Sequence, residues 1–351
     1  MIKTYMRKDL QNYIPYHAPE KPYDVKLDAN ENPYTHDPDV IRAMKDWIED
    51  CEHMRRYPDT DCHMLRDAIA KFWQVDKEEV ICGVGSDQLI ESIVKIFVEP
   101  GDKVLMPTPS FSMYQLATTL NRGIPVEFSL DENFQYPIDQ IIKAYHDTKP
   151  KCVFLCTPNN PTGSSLTIED MKKLLEVIDC PVVIDEAYGE FNNQTMIDYI
   201  DKYENMIVLR TFSKAYGCAG LRVGYGIGSQ AMIEALTIVL PPYHLNAFSQ
   251  YMAKTILEKS EHYKNNVTEI VKERGTLYTA LSNMDYVSKI YPSDANYILI
   301  KVSRNDIVAK LEEAKVLVRG YGTTGPLGHC IRITVGTEEE NKKLIEVMKT
   351  I

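Results

Sequence analysis

Short apolar runs alternate with longer amphipathic ones through the middle of this sequence, and that rhythm narrows the fold more than any other feature. Residues 80–84, 103–106, 125–128, 151–156, 182–185, 206–210 and 223–227 read as strands. Between them, 87–98, 113–121, 138–146 and 168–178 carry helical spacing. An earlier helix is expected over 39–51, where Ile41, Met44, Ile48 and Cys51 recur on one face. Short strands separated by helices build a mostly parallel sheet, because each parallel crossover needs a helix that covers a face.

The flanks read differently. Residues 1–32 are rich in Pro, Tyr and charge, and are expected to form an arm with little regular structure. Residues 246–283 are helical, with one break near Gly275. After them come a strand (296–302), a helix (306–314), two strands (316–318 and 329–334) and a closing helix from about 338. Thr337 and Glu340 form a capping box at its start. With 351 residues the chain suits two domains. The expected division is an N-terminal arm (1–34), a large domain (35–245) and a smaller C-terminal α/β domain (246–351).

Charge limits the partners. The formal sum, 39 basic against 50 acidic residues, is −11, which argues against a phosphate-backbone partner such as nucleic acid. A local cationic pocket for one small anion remains open. No apolar stretch is long enough for a membrane span. Eight cysteines, none in a Cys-x-x-Cys pair, sit mostly in apolar runs. They read as reduced core thiols of a cytoplasmic protein.

In a parallel sheet, ligands bind beyond the carboxyl ends of the strands, and four groups lie there. Gly83-Val84-Gly85-Ser86-Asp87 opens a helix after a strand, where backbone N–H groups can meet a phosphate. It is neither a Walker P-loop nor a full dinucleotide fingerprint, and locally it reads equally as a tight turn. Pro158-Asn159-Asn160-Pro161-Thr162-Gly163 is a rigid turn that can hold an amide for recognition, or serve structure alone. Asp185 ends a strongly apolar strand, so its carboxylate needs a partner such as a protonated heterocyclic nitrogen, or else caps the next segment. Tyr188 follows it. Lys214, in Thr211-Phe212-Ser213-Lys214-Ala215-Tyr216-Gly217, is a potential nucleophile, although a loop lysine is ordinarily solvated. Ser213 and Arg222 suit a phosphate.

The order of these groups along the chain resembles the fold-type I pyridoxal-phosphate aminotransferases. Leu27-Asp28-Ala29-Asn30-Glu31-Asn32-Pro33, Arg56-Tyr57-Pro58, Pro242-Tyr243-His244-Leu245-Asn246 and Ile331-Arg332-Ile333-Thr334-Val335-Gly336-Thr337 extend the likeness over nearly the whole chain. It is greatest to the histidinol-phosphate aminotransferases. The resemblance implies that Lys214 bonds covalently to pyridoxal 5′-phosphate, that Asp185 keeps the ring nitrogen protonated, and that Tyr188 and Asn160 bond the ring oxygen. Gly85, Ser86, Asp87, Ser213, Arg222 and Thr211 would surround the phosphate, and Phe111 would stack on the ring. Tyr57 would reach the phosphate of a neighbouring subunit, which implies a homodimer with shared sites. Arg332 would take the substrate carboxylate, with Arg319 as a second anion contact; Tyr16 and Asn30 would close over the substrate.

In Pro109-Ser110-Phe111-Ser112-Met113-Tyr114, Phe111 replaces the tyrosine of many such relatives and supplies no hydroxyl. The implied reaction moves an amino group from L-histidinol phosphate to 2-oxoglutarate. Alternatives on the same scaffold are an aromatic amino acid aminotransferase and a decarboxylase of a phosphorylated amino acid such as threonine phosphate. A ligand sensor would need a DNA-binding module for which the chain has no spare length. No metal is expected.

Overall fold

A computed structural model describes residues 2–11 and 21–351. Strand β1 (Val25–Leu27) is followed by α1 (Pro38–Glu49) and α2 (His63–Trp73). The alternating middle comprises β2 (Val80–Val84), α3 (Gly85–Phe97), β3 (Lys103–Thr108), α4 (Met113–Leu120), β4 (Ile124–Ser129) and α5 (Ile138–Thr148). It continues through β5 (Cys152–Cys156), α6 (Ile168–Val177), β6 (Val182–Asp185), β7 (Met206–Thr211) and β8 (Val223–Gly228). Then come α7 (Gln230–Thr237), α8 (Ala247–Glu258), α9 (Ser260–Ser282), β9 (Val287–Tyr291) and β10 (Tyr297–Val302). The chain ends with α10 (Ile307–Glu313), β11 (Val316–Gly320), β12 (Cys330–Thr334) and α11 (Glu338–Thr350).

The larger sheet has the order β2-β8-β7-β6-β5-β3-β4. Strands β4, β3, β5, β6 and β7 run parallel, while β8 is antiparallel to both its neighbours. Every residue of β5, β6, β7 and β8 is buried, as expected of strands covered on both faces. Alternate side chains feed two apolar layers. Phe154, Val183 and Ile207 join Leu89 and Ile93 of α3 on one side. Val153, Leu155, Ile184 and Val208 join the larger cluster on the other.

A second sheet, β1-β11-β12-β10-β9, is built from the end of the chain and from one strand of its start. There the arm departs from expectation: Val25, Lys26 and Leu27 pair in parallel with Val316, Leu317 and Val318. An apolar–polar–apolar triplet is too short to read as a strand until its partner is known.

The long helical stretch also differs. Its break falls at Lys259, between α8 and α9, while Gly275 lies inside α9 with open space where a Cβ would be. Packing decides this: α8 lies on α1 and α2, α9 on β9 and α11. A glycine costs an exposed helix only about 1 kcal/mol. The capping box at Thr337 and Glu340 is present. Helices α2 and α7 and strand β9 complete the fold without having been read from the sequence. Among the described residues no helix is long and apolar enough to cross a membrane.

Candidate active site

The carboxyl ends of β5, β6 and β7 deliver Asn160, Asp185 and Lys214 to one region, because these neighbouring strands run the same way. Asp185 is the last residue of β6 and is 2% exposed. Its Oδ2 accepts from the Tyr114 hydroxyl at 2.6 Å and its Oδ1 from the Ala187 N–H at 3.0 Å. Burial pushes its pKa up to about 6, against the hydrogen bond from Tyr114. At neutral pH it is a desolvated anion suited to a cationic partner.

Lys214 reaches back across the fold, its Nζ donating to the Ala29 carbonyl at 3.0 Å. It lies 5.7 Å from the centroid of the Tyr188 ring. Burial first, and the Arg332 charge second, lower its pKa to about 8. Burial raises the Tyr188 phenol, which therefore stays protonated at neutral pH. That phenol accepts from Asn30 Nδ2 at 2.9 Å. Asn30 is itself fixed: its N–H donates to Thr334 Oγ1 at 2.9 Å, and its carbonyl accepts from Asn296 Nδ2 at 3.0 Å.

An anion cradle forms where α3 begins. Gly85 has φ +70°, and a Cβ there would lie 2.6 Å from Arg222 Nη2. A Cβ on Gly224 of β8 would lie 2.3 Å from the Ser86 nitrogen. Both glycines thus keep the first amides of α3 close to the Arg222 guanidinium and free of side chains. Arg222 Nη1 approaches Ser213 Oγ at 3.5 Å, and its Nη2 pairs with Asp87 at 3.1 Å. Amides at a helix N-terminus, one hydroxyl and one guanidinium make a donor set fitted to a phosphate monoester.

On the other side, Arg332 Nη1 donates to Asn160 Oδ1 and Nη2 to the Asp28 carbonyl, both at 2.6 Å. Its buried Nε–H has no hydrogen-bond partner among the described residues. Arg319 stands opposite Arg332 in the antiparallel β11–β12 register, so the two side chains share a face. Arg319, Asp28 and Tyr321 line a cavity of about 340 Å³.

Two expected residues, Thr211 and Tyr57, direct their side chains to other partners. Thr211 directs its hydroxyl into the protein, to the Val223 carbonyl at 3.3 Å, and receives the Ser213 N–H at 3.1 Å. Because β8 returns antiparallel beside β7, that hydroxyl bridges the two strands and orients Ser213. Tyr57 is 80% exposed and stacks on Tyr243 at 4.5 Å between centroids. Tyr16 lies outside the described residues. Phe111 meets Tyr114 edge-on.

Several functional neighbours escaped the sequence reading. Asn159, unlike Asn160, is fully buried and holds the loop by donating to Pro109 O at 3.0 Å and Thr162 Oγ1 at 2.7 Å. Tyr297 of β10 donates to Asn159 O at 2.6 Å, and its ring underlies Arg332. Tyr114 carried a usable signal, since a tyrosine on the apolar face of a helix needs a buried acceptor.

Residues 23–348 match the family described as aminotransferase class I and II. The chain belongs to that family. It is 42% identical over its full length to a histidinol-phosphate aminotransferase of Ruminiclostridium cellulolyticum, covering 99% of that protein. It is 38% identical to one of Caldanaerobacter subterraneus, again covering all of this chain and 99% of the relative. Among solved structures, a histidinol-phosphate aminotransferase of Sinorhizobium meliloti in complex with pyridoxal-5′-phosphate shares the fold, with a TM-score of 0.90. That match covers 98% of each chain at 23% identity.

Proposed function

We propose that this aminotransferase moves the amino group of L-histidinol phosphate to 2-oxoglutarate, with pyridoxal 5′-phosphate as cofactor, yielding imidazole acetol phosphate and L-glutamate. Family membership carries the reaction type and the cofactor. The full-length relatives support the substrate. The structural observation that carries the reading is one connected polar frame, in which Asn30 holds Tyr188, Lys214 holds Ala29 O, and Arg332 holds both Asn160 and Asp28 O.

The residues fit the cofactor. The Gly85–Ser86 amides, Ser213 and Arg222 would hold its phosphate, Asp185 its ring nitrogen, Tyr188 and Asn160 its ring oxygen, and Phe111 would cover the ring. When bound, the cofactor supplies an aldehyde for the substrate amine and a cationic ring that accepts electrons from the substrate Cα. Lys214, with its pKa near 8, carries an appreciable neutral fraction at neutral pH and can attack or move a proton. Asp185 stays anionic above about pH 6 and can receive a ring N–H. Arg332 offers a planar guanidinium, already oriented by two hydrogen bonds, to the carboxylate of glutamate or 2-oxoglutarate. Arg319 provides a second cation on the same face for the phosphate ester or the distal carboxylate. A second copy of the chain completes the site, with Tyr57 serving the partner's phosphate cradle.

The test is transamination by the cofactor-loaded chain, with histidinol phosphate compared against phenylalanine, tyrosine, aspartate and threonine phosphate. Histidinol phosphate should give the highest kcat/KM, and glutamate followed by 2-oxoglutarate should reverse the cofactor spectrum. A preference for phenylalanine or tyrosine, or release of carbon dioxide without amino transfer, would overturn the substrate.

A further inference from the structure

Asp185 is a charge in a dry place, and one neighbour from a distant element answers it. Tyr114 sits in the first turn of α4, 1% exposed, with its ring stacked on Phe154 at 4.6 Å between centroids. Phe111 meets the same ring edge-on at 5.7 Å. A buried phenol must find an acceptor, and this one donates to Asp185 Oδ2 at 2.6 Å. The ring is gripped by its neighbours, so the hydroxyl is delivered to a fixed point.

We infer that Tyr114 is a positioning residue for the cofactor's ring nitrogen: its hydroxyl keeps the Asp185 carboxylate ionised and aimed at the ring. The inference rests on the cofactor reading given above. An ionised carboxylate has about four lone-pair directions. The Ala187 N–H takes one on Oδ1 and Tyr114 one on Oδ2, leaving others for a ring N–H. Both donors favour the anion over the acid.

A neutral donor has a particular merit here. It stabilises the anion without cancelling its charge, so a ring cation meets a full carboxylate. The other described groups whose charge bears on Asp185 are Cys156 at the end of β5, Asp87 from α3, Glu186 next in the chain, and the phenols of Tyr136 and Tyr188. Burial, Asp87 and Glu186 all favour protonation of Asp185, and the hydrogen bond from Tyr114 is the largest influence against it.

The apoprotein provides the test. With 13C at the aspartate carboxyls, and the Asp185 signal assigned through Asp185→Asn, the carboxylate is titrated directly. Tyr114→Phe should raise its midpoint by about one pH unit. Replacing Tyr114 with 3-fluorotyrosine, a more acidic phenol, should lower it. In the holoenzyme, with 15N at the cofactor ring nitrogen, Tyr114→Phe makes Asp185 the more basic partner and should shift the shared proton from that nitrogen toward the carboxylate, moving the 15N signal toward its unprotonated position. A packing role alone moves none of these. An unchanged Asp185 midpoint in folded Tyr114→Phe overturns the inference. Should that variant fail to fold, an unchanged midpoint in the 3-fluorotyrosine protein does so. Because the carboxylate titration needs no cofactor, failure of the chain to bind pyridoxal phosphate would sink the functional reading separately.

Discussion

Asp185 and Lys214 are both held in the charge state that burial disfavours, and each therefore costs the empty protein stability. The sign follows from proton linkage. The folded protein raises Asp185 from 3.8 to about 6 and so holds its proton more tightly than the unfolded chain does. Stability from this residue is full below pH 3.8 and declines as pH rises through 6. Asp185→Asn should therefore make the apoprotein more stable at pH 8, by on the order of 2–3 kcal/mol, with the gap narrowing toward pH 5. The same variant should bind the cofactor more weakly. Denaturant unfolding of the two apoproteins at several pH values checks the first part, and fluorescence titration with cofactor the second. Lys214 has the opposite sign. Its folded pKa, about 8, lies below the unfolded 10.5, so its cost is complete below pH 8 and fades as pH climbs to 10.5. Lys214→Met should stabilise the apoprotein at pH 7, abolish transamination, and lose its stability advantage by pH 10.5. An advantage that stays constant across that range would show that the amine is not desolvated.

The start of α3 is where element geometry sets ligand affinity. Strand β8 runs so close beneath it that Gly224 leaves no room for a methyl group, with the Ser86 nitrogen 2.3 Å from where a Cβ would be. Backbone on both sides cannot yield as a side-chain tip would. Gly224→Ala should lift α3 off β8, weaken cofactor binding at least tenfold, and cost about 1–3 kcal/mol of stability as an overpacked site. Equilibrium dialysis of the cofactor and thermal unfolding of the apoprotein would measure the two effects, and unchanged affinity would refute this role for Gly224. This cradle also shows how far the sequence could be read. Gly85, Ser86, Asn160, Asp185 and Lys214 were legible because each lies within a few residues of a strand end, where chain order alone places it. Tyr114, Asn296 and Thr334 were not, since each meets its partner across 71 to 304 positions of sequence. The partners of Thr211 were not legible for a related reason: its neighbour is set by the antiparallel return of β8. The helix break at Lys259 depended on which helices α8 and α9 pack against, which local propensity does not encode.

At the scale of the whole molecule the question is where Tyr57 does its work. It is 80% exposed, stacked on Tyr243, and follows Ile48 and Met54, which are 57% and 72% exposed. Aromatic and aliphatic groups left outside in this way suit burial against a second copy. If Tyr57 serves the partner's phosphate cradle, function must complement across subunits. Tyr57→Ala should weaken cofactor binding about 10- to 100-fold, the loss of one hydrogen bond to a charged group, while Lys214→Ala should remove turnover entirely. Consider a hybrid dimer carrying one variant on each chain, isolated with two affinity tags. One site then has both defects. The other has Lys214 from the Tyr57→Ala chain and Tyr57 from the Lys214→Ala chain, and is intact. The hybrid should show about half the wild-type rate at limiting cofactor, far above either parent. If Tyr57 acts within its own subunit, no intact site exists and the hybrid cannot exceed half the rate of the Tyr57→Ala homodimer. A monomer in solution at assay concentration, with full activity, would exclude the shared site altogether.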